Sequence, residues 1–318
     1  EFIKGASDPY FAYLPFPAPY GHWPATNDGK RNRHAKLYDD CPMNSVPRAG
    51  ISAEAVKGYE MVKSGSGHGL DFSMLMRAPN NLPSLQNYYS QITMIDEAVG
   101  RISKAAPDAL IIFTTDHGLS LGHHGFWGHG GSTYPSNLHL AAHSIPMILS
   151  HRDKIYPDKT SPILVSNIDI YATILDYVGG SADPTLPSRS FAGLLKGQEV
   201  ADWGDNEVFS EQEETRVIRT PQWAYFKRYN SDNAPDLPDE LFNVVVDPGE
   251  TNNLVNNPDH AHIIADLSAR IETFFAQHSN KNADLWKGGK PIQNSMMQKY
   301  WSDIWGDDWE PVYTYDSE

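Results

Sequence analysis

Three shortages in the sequence limit what the chain can be. Its 318 residues include one cysteine, Cys41, which excludes an internal disulfide and leaves the redox compartment undecided. Positive charge is scarce, since 25 Lys and Arg stand against 40 Asp and Glu, and the net charge of -15 would repel a nucleic-acid backbone. No apolar run reaches membrane-spanning length, and no signal peptide is recognisable. We therefore expect a globular chain with no nucleic-acid partner and no membrane span.

Histidine, by contrast, is concentrated near the middle of the chain. Seven of the 13 histidines lie between His117 and His151. The first of them follows an apolar run and Asp116, which is how a buried parallel strand delivers ligands to the carboxyl edge of a sheet. An Asp here can also be a helix N-cap and the His a surface residue, but Gly118 would let the backbone approach a ligand closely. We therefore interpret Asp116 and His117 as part of a site.

Two short motifs extend this pattern. Thr115-Asp-His-Gly118 is followed by Leu121-Gly-His-His-Gly-Phe-Trp-Gly128. Together they resemble the metal-binding segment of the type I sulfatases, within the alkaline-phosphatase-like superfamily, where Ser-Asp-His-Gly precedes Leu-Gly-x-His-Gly and an aromatic residue. Residues 9–19 and 239–254 look like further landmarks of that family. The resemblance therefore covers nearly the whole chain.

The predicted fold class is α/β, with a doubly wound mixed sheet flanked by helices in residues 1–205. Residues 206–318 are expected to form a smaller C-terminal α+β subdomain of antiparallel strands and a helix, and the turn at 247–250 is expected to stop a strand. Apolar periodicity and turn residues predict a helical turn at 1–5, helices at 53–62, 85–102, 165–178 and 260–277, and strands at 10–16, 110–115, 145–149, 208–210, 216–219, 223–229 and 240–245.

The residues themselves point to a metal, because the Asp116 carboxylate is a hard oxygen ligand for a divalent cation. The resemblance implies Ca²⁺ or Mg²⁺ at Asp116 and His117, and a formylglycine nucleophile made from the Cys of Cys-x-Pro-Ser-Arg. Cys41 does not fit that motif, because Ser45 stands where the arginine is required, and we interpret its segment as a surface loop. We therefore expect the formylglycine on an amino-terminal sulfatase portion that acts as a second chain.

The resemblance also implies how the ester anion is handled. His129 occupies the place of a sulfate-binding lysine, so anion binding would depend on pH around the ordinary histidine pKa of about 6.5. Tyr20 occupies the place of a catalytic histidine, and His22, two residues on, is the alternative. Three further residues of the second motif are candidates for binding substrate: His123, His124 and Trp127.

The favoured function is a periplasmic or secreted sulfuric ester hydrolase that acts on a sulfated carbohydrate. A phosphodiesterase or phosphonate hydrolase is the alternative within the superfamily, since the same metal site serves phosphoryl esters. A non-catalytic chain that binds a sulfated glycan is the alternative from another class. The tail is expected to pack on the core or to contact carbohydrate through Trp286, Trp301, Trp305 and Trp309.

Overall fold

The computed structural model describes residues 2–6, 9–19, 32–47, 82–129, 135–155, 159–198, 200, 203–212, 214–230, 237–282 and 284–288. The helices are α1 (Phe2–Gly5), α2 (Leu82–Ala105), α3 (Leu140–His143), α4 (Asp169–Tyr177), α5 (Ala192–Leu195) and α6 (Ala261–His278). The strands are β1 (Ile111–Thr114), β2 (Ser120–Leu121), β3 (Trp127–Gly128), β4 (Met147–Ser150), β5 (Val208–Gln212), β6 (Thr215–Arg219), β7 (Trp223–Arg228) and β8 (Glu240–Asn243). The predicted helix at 53–62 lies outside these ranges.

The long helix α2 supports the segment that leads into the site. Its apolar residues recur at three- and four-residue steps, so one face is buried, with Leu85 and Ile95 among its buried residues. The helix ends just before Pro107, as predicted, because proline cannot continue the hydrogen-bond ladder. A 3-10 helix at Ala35–Tyr38 packs across it, and the Tyr38 hydroxyl lies 2.7 Å from the Thr93 hydroxyl.

The strand that precedes Asp116 pairs differently from the prediction. β1 is half-buried and is antiparallel to β4, with Ile111 opposite Ser150 and Thr114 opposite Met147. Among the described residues, β4 is the strand that pairs with β1. The expectation of a buried parallel strand before Asp116 is therefore wrong. The chain passes through β2, β3 and α3 before β4 runs back alongside β1, and the apolar run of residues 111–114 does not by itself specify the direction of its neighbour.

The predicted strand at 10–16 is also wrong. Residues 9–17 have no regular secondary structure, although the helical turn before them is present as α1. No strand in the described part of the chain pairs with them, and several of their large apolar side chains are exposed. The most exposed are Phe11 at 73% and Tyr13 at 78%.

A small hydrophobic cluster lies beneath the site. Trp127 is fully buried there, and it packs with Leu85 of α2, Leu121 of β2, Met43 and Val46. The loop around Cys41, predicted to lie on the surface, is therefore anchored by two buried side chains. The Cys41 thiol contacts the Met43 sulfur at 3.9 Å.

The C-terminal sheet, strands β5 to β8, is antiparallel in the order β5-β6-β7-β8. This confirms the four predicted strands, with slightly different bounds, and α6 confirms the helix that follows them. Consecutive residues of β6 point to opposite faces, so Ile218 packs against Leu267 and Ile271 of α6, whereas Val217 faces away from the helix. Both faces of the sheet therefore require cover.

The second face is covered by residues 136–140, which we call the anchor segment. Leu138 is fully buried against Val217, Ala224, Phe226 and Phe242. Polar contacts fix the backbone on either side of it: Arg228 donates to the Ser136 carbonyl at 3.1 Å, and Arg219 donates to the Leu138 carbonyl at 2.9 Å. The anchor segment therefore belongs structurally to the C-terminal sheet.

A buried arginine of β6, Arg216, links the sheet to residues that follow α6. Arg216 is bonded to Glu211 and, at 2.8 Å, to Asp284, and its guanidinium lies 4.1 Å from the ring centroids of both Phe275 and Trp286. Trp286 therefore packs back onto the domain, which confirms the prediction for this residue. Trp301, Trp305 and Trp309 lie outside the described residues.

Candidate metal and anion site

Asp116 lies in the loop that leaves β1. Its Oδ1 accepts hydrogen bonds from the Thr115 hydroxyl at 3.1 Å and from the His117 amide at 3.0 Å. The side chain is 82% exposed, so its second oxygen is open to a ligand. Burial raises the pKa of Asp116, but the His117 charge and these hydrogen bonds outweigh burial, and the pKa is lowered. The carboxylate is therefore charged at neutral pH.

The His117 ring suits a cation shared with Asp116. Its Nδ1 lies 2.8 Å from the Gly118 carbonyl, which can only accept, so Nδ1 carries the proton. In the neutral ring the lone pair is then on Nε2, which lies 3.6 Å from Asp116 Oδ2. Two electron-pair donors this close repel each other unless a cation or a proton lies between them. This pair therefore fits part of a metal shell.

The described residues do not complete that shell. Within the part of the chain that the structure describes, no group of three or more His, Cys, Asp and Glu could hold a metal ion. Calcium takes six to eight oxygen ligands, and an imidazole nitrogen is a poor substitute for one of them. Asp116 and His117 can supply two donors, and the others must come from elsewhere.

Gly118 explains why a glycine must follow this pair. A Cβ at Gly118 would lie 2.5 Å from the Ala141 carbonyl oxygen, well inside contact distance. The Gly118 amide donates to the Ala142 carbonyl at 2.8 Å, so the loop rests directly on the backbone of α3. The predicted close approach therefore occurs, although it is to α3 and not to a ligand.

His129 lies on the ring of His117. Its ring stacks on His117 with 3.6 Å between centroids and an interplanar angle of 15°. Burial and the His117 charge lower the pKa of His129 to about 4. In this state the ring is neutral at pH 7, so the predicted rise of its pKa would require a bound anion and stays a prediction.

His143, at the end of α3, joins the same group of rings and was not predicted. Burial lowers its pKa to about 4, and the positive charges of Arg219, His117 and His129 act in the same direction. The high density of histidines in the sequence was the available signal for His143. Their spacing did not show which of the rings lie close together in the fold. The structure brings together Asp116, His117 and His129, and the charges of the two histidines act on His143.

His123 and His124 have other partners. His123 Nδ1 accepts a hydrogen bond from the Leu121 amide at 3.2 Å, which braces the turn between β2 and β3. His124 has a left-handed backbone with φ of 54° and stacks on His139 with 4.0 Å between ring centroids. Burial and His139 lower the pKa of His124 to about 4. Both residues hold the loop, and their predicted contact with substrate stays a prediction.

His139 is a second residue that the sequence analysis missed. It is buried, its Nδ1 lies 3.0 Å from the Asn137 amide oxygen, and its Nε2 lies 3.6 Å from Glu240 Oε1. His139 also lies 4.8 Å, between ring centroids, from Phe226 of the C-terminal sheet. It therefore links the loop of His124 to the sheet.

Tyr20 and His22, the candidates for the catalytic acid, lie outside the described residues. The indole of Trp127 is fully buried in the cluster beneath the site, so no surface of it is left for a substrate. We assign Trp127 a packing role in place of the predicted contact with substrate.

Comparison with known proteins defines first the class and then the family. Several solved structures share the alkaline-phosphatase-like fold with this chain, which confirms the predicted fold class. The sulfatase family model matches residues 1–180, and the model described as N-sulphoglucosamine sulphohydrolase, C-terminal, matches residues 137–277. The chain belongs to the sulfatase family.

Individual relatives are distant. An N-acetylglucosamine-6-O-sulfatase of Bacteroides thetaiotaomicron is 23% identical over 233 residues, which are 66% of this chain and 40% of that protein. A protein solved with its substrate D-glucosamine-2-N,6-O-disulfate has a TM-score of 0.54 at 22% identity, covering 69% of this chain and 44% of that one. A phosphonate monoester hydrolase of Silicibacter pomeroyi has a TM-score of 0.58 at 21% identity, covering 77% of this chain and 54% of that one.

The chain spans about 40% of the length of curated relatives that it matches. At such identities the solved structures establish the fold alone. Among the described helices, none is both long and apolar enough to cross a membrane.

Proposed function

We propose that this chain contributes the metal and anion site of a sulfuric ester hydrolase that acts on a sulfated carbohydrate. The observation that carries the proposal is the pair formed by Asp116 Oδ2 and His117 Nε2, 3.6 Å apart, with His129 stacked upon it. The sulfated-sugar relatives support the substrate class. Periplasmic or secreted localisation remains part of the proposal.

In this proposal Asp116 and His117 bind one side of Ca²⁺ or Mg²⁺, which would neutralise the ester anion when bound. Asp116 contributes the charge, and the hydrogen bond from His117 Nδ1 to the Gly118 carbonyl keeps the ring in the tautomer that binds. His129 lies beside them and would donate to an ester oxygen. These roles are positioning and charge compensation.

The nucleophile would come from residues outside this sequence. Cys41 is the single cysteine of the chain, it lacks the expected motif, and it packs against Met43 and not beside Asp116. We therefore propose a formylglycine-bearing amino-terminal sulfatase portion as the partner. The exposed apolar side chains of Phe11, Tyr13 and Ile148 support the proposal, because a partner chain could cover them.

Calcium titration of this chain tests the metal proposal. With two protein donors, calcium should bind weakly, because affinity rises with the number of carboxylate ligands. Asp116→Asn, which keeps the size and removes the charge, should abolish that binding, whereas Asp153→Asn, an exposed control on the far side of β4, should leave it unchanged. Tight stoichiometric binding that survives Asp116→Asn would contradict the proposal.

Turnover separates the candidate functions. The chain would be combined with a formylglycine-bearing amino-terminal portion and offered a sulfated amino sugar and a phosphonate monoester. Faster release of sulfate supports the proposal. Faster release of phosphonate supports the alternative, which the fold similarity to a phosphonate monoester hydrolase motivates. Binding of the sulfated sugar with no turnover of either ester would indicate a non-catalytic glycan-binding chain.

A further inference from the structure

Glu250 has an unusual position for a residue expected only to follow a strand. Its side chain is fully buried, although it lies in the turn after β8. Its backbone has φ of 54°, a left-handed conformation that costs free energy for a residue with a side chain. A charged group that is buried and held in a strained turn requires compensating contacts.

Those contacts lead away from the turn, toward the anchor segment. Glu250 Oε2 accepts the Leu140 amide at 2.8 Å, at the start of α3. Glu250 Oε1 accepts from Arg219, whose other nitrogen donates to the Leu138 carbonyl at 2.9 Å. The three partners form a closed ring of charge-assisted hydrogen bonds, which are stronger than neutral ones. The ring fixes the start of α3 to the C-terminal sheet.

The other end of α3 contacts residues 115–118, which we call the site loop. The Ala142 carbonyl accepts the Gly118 amide at 2.8 Å, and the Ala141 carbonyl leaves no room for a side chain at position 118. By contrast, the described hydrogen bonds of the Asp116 side chain come from its neighbours Thr115 and His117, so they do not tie the loop to another element. The Gly118 end of the loop therefore rests on α3, while its Thr115 end is held by Asn167, whose side-chain amide donates to the Thr115 carbonyl at 2.9 Å.

We propose that Glu250 and Arg219 are positioning residues, which hold the Asp116–His117 pair in place through α3. Their described hydrogen bonds go to each other and to the backbone of Leu138 and Leu140, so they act through the backbone of residues 138–142. The inference rests on the proposed function, because what is positioned is the metal-binding pair.

Hydrogen exchange at the Gly118 amide measures this positioning without any turnover. Glu250→Gln keeps the size of the side chain but offers one accepting oxygen, so it cannot satisfy both the Leu140 amide and Arg219. Exchange at Gly118 should accelerate by about tenfold, because one charge-assisted bond that holds α3 is lost. Calcium affinity should fall in parallel.

Asp284→Asn is the matched control. Asp284 is equally buried and also pairs with an arginine of β6, but its partners Arg216, Ser279 and Trp286 do not reach α3. It should lower the melting temperature and leave exchange at Gly118 unchanged. If Glu250→Gln does not fold, Arg219→Lys replaces it, because lysine keeps the charge but lacks the planar fork whose two separate nitrogens reach Glu250 and the Leu138 carbonyl.

The outcomes distinguish the two proposals. Faster exchange at Gly118 in Glu250→Gln or Arg219→Lys, but not in Asp284→Asn, supports the positioning role even if the wild-type chain binds no calcium, a result that would refute only the metal proposal. Unchanged exchange in the first two variants, or an equal change in all three, would overturn the positioning role whatever calcium does.

Discussion

The site loop, residues 115–118, together with the short strands that follow it, and the C-terminal sheet are stabilised in different ways. Each of β2 and β3, which flank the turn of His123 and His124, has two residues, whereas the strands of the C-terminal sheet have four to six. The sheet is held by its own ladder and by apolar cover on both faces. The loop is held by contacts with α3 and with the cluster around Trp127.

This difference separates the scaffold from the site. A short loop can place a carboxylate and an imidazole side by side in the open, which a buried ladder cannot, but it then depends on another element for its position. Here that element is α3, fixed by the sheet. Changes in the sheet should therefore act mainly on stability, and changes in the loop mainly on binding.

The largest effect is expected from breaking the buried polar network of the sheet. Arg228 is 3% exposed and bonds to Glu240 at 2.6 Å and to the Ser136 carbonyl. Arg228→Ala leaves the Glu240 charge poorly compensated, so the free energy of unfolding should fall by about 3–5 kcal/mol in denaturant titrations. The control is Arg33→Ala, whose pair with Glu97 is exposed and should contribute less than about 1 kcal/mol. Equal losses of unfolding free energy in Arg228→Ala and Arg33→Ala would contradict the expected difference between the buried and the exposed ion pair.

The next effect concerns the loop. Gly118→Ala places a methyl group 2.5 Å from the Ala141 carbonyl oxygen, so the loop must move. Because a displacement of about 1 Å can cost about 100-fold in rate, we expect a loss of that order in turnover and a parallel loss of calcium binding. The control is Gly100→Ala, since a Cβ there meets nothing within 4 Å and helix α2 gains stability from alanine. Similar activity of the two variants would show that the loop tolerates displacement.

A smaller effect concerns the charge at His129. With its pKa lowered to about 4, the free ring is neutral at pH 7, and a bound anion would raise that pKa. Activity should therefore persist at mildly acidic pH and decline as pH rises past the raised value. His129→Lys should retain about tenfold more activity than wild type at alkaline pH, since lysine stays charged to about pH 10. His129→Gln should lose activity throughout, and equal, pH-independent profiles of both variants would exclude a charge role.

The smallest effect concerns His124 and acid stability. Its pKa of about 4 is below that of the unfolded chain, near 6.5, so its contribution is complete above pH 6.5 and is lost as pH falls toward 4. His124→Gln should flatten the fall of the melting temperature between pH 7 and 4.5. The charged and titratable groups that face His124 are His123, His139, Glu240, Asp247 and Glu250.

One neighbour strengthens this test. Burial raises the pKa of Glu240, but His139 and Arg228 outweigh burial and lower it to about 2, so this carboxylate keeps its charge across that pH window. A pH dependence that is identical in wild type and His124→Gln would assign the acid sensitivity to another group.

The sequence predicted the elements whose periodicity is long enough to read. α2 and α6 carry several turns of regular apolar spacing, and the strands of the C-terminal sheet are separated by clear turn residues. The strand predicted at 10–16 failed because five large apolar residues in a row of eleven look like a buried strand, whereas the described segment has no partner strand. Composition indicates that a side chain favours burial or a strand conformation. It does not indicate whether a partner strand is present.

The site was predictable where neighbours in sequence are neighbours in space. Asp116, His117 and Gly118 form one loop, and the motif identified them. The stacking of His129 on His117, the burial of Trp127 and the reach of Glu250 to Leu140 depend on tertiary contacts across many residues. No local spacing contains that information, so His139, His143 and Glu250 were found only in the structure.

The insertion of the anchor segment decides where the chain can be cut. A fragment that starts at residue 206 retains strands β5 to β8 and helix α6, but it lacks Leu138. Phe226 and Phe242, which pack against Leu138, are then exposed to water. Arg228 also loses the Ser136 carbonyl. A fragment that starts at residue 135 keeps these contacts. A fragment that keeps the cover of the C-terminal sheet therefore begins well upstream of β5, in the stretch that leads into α3.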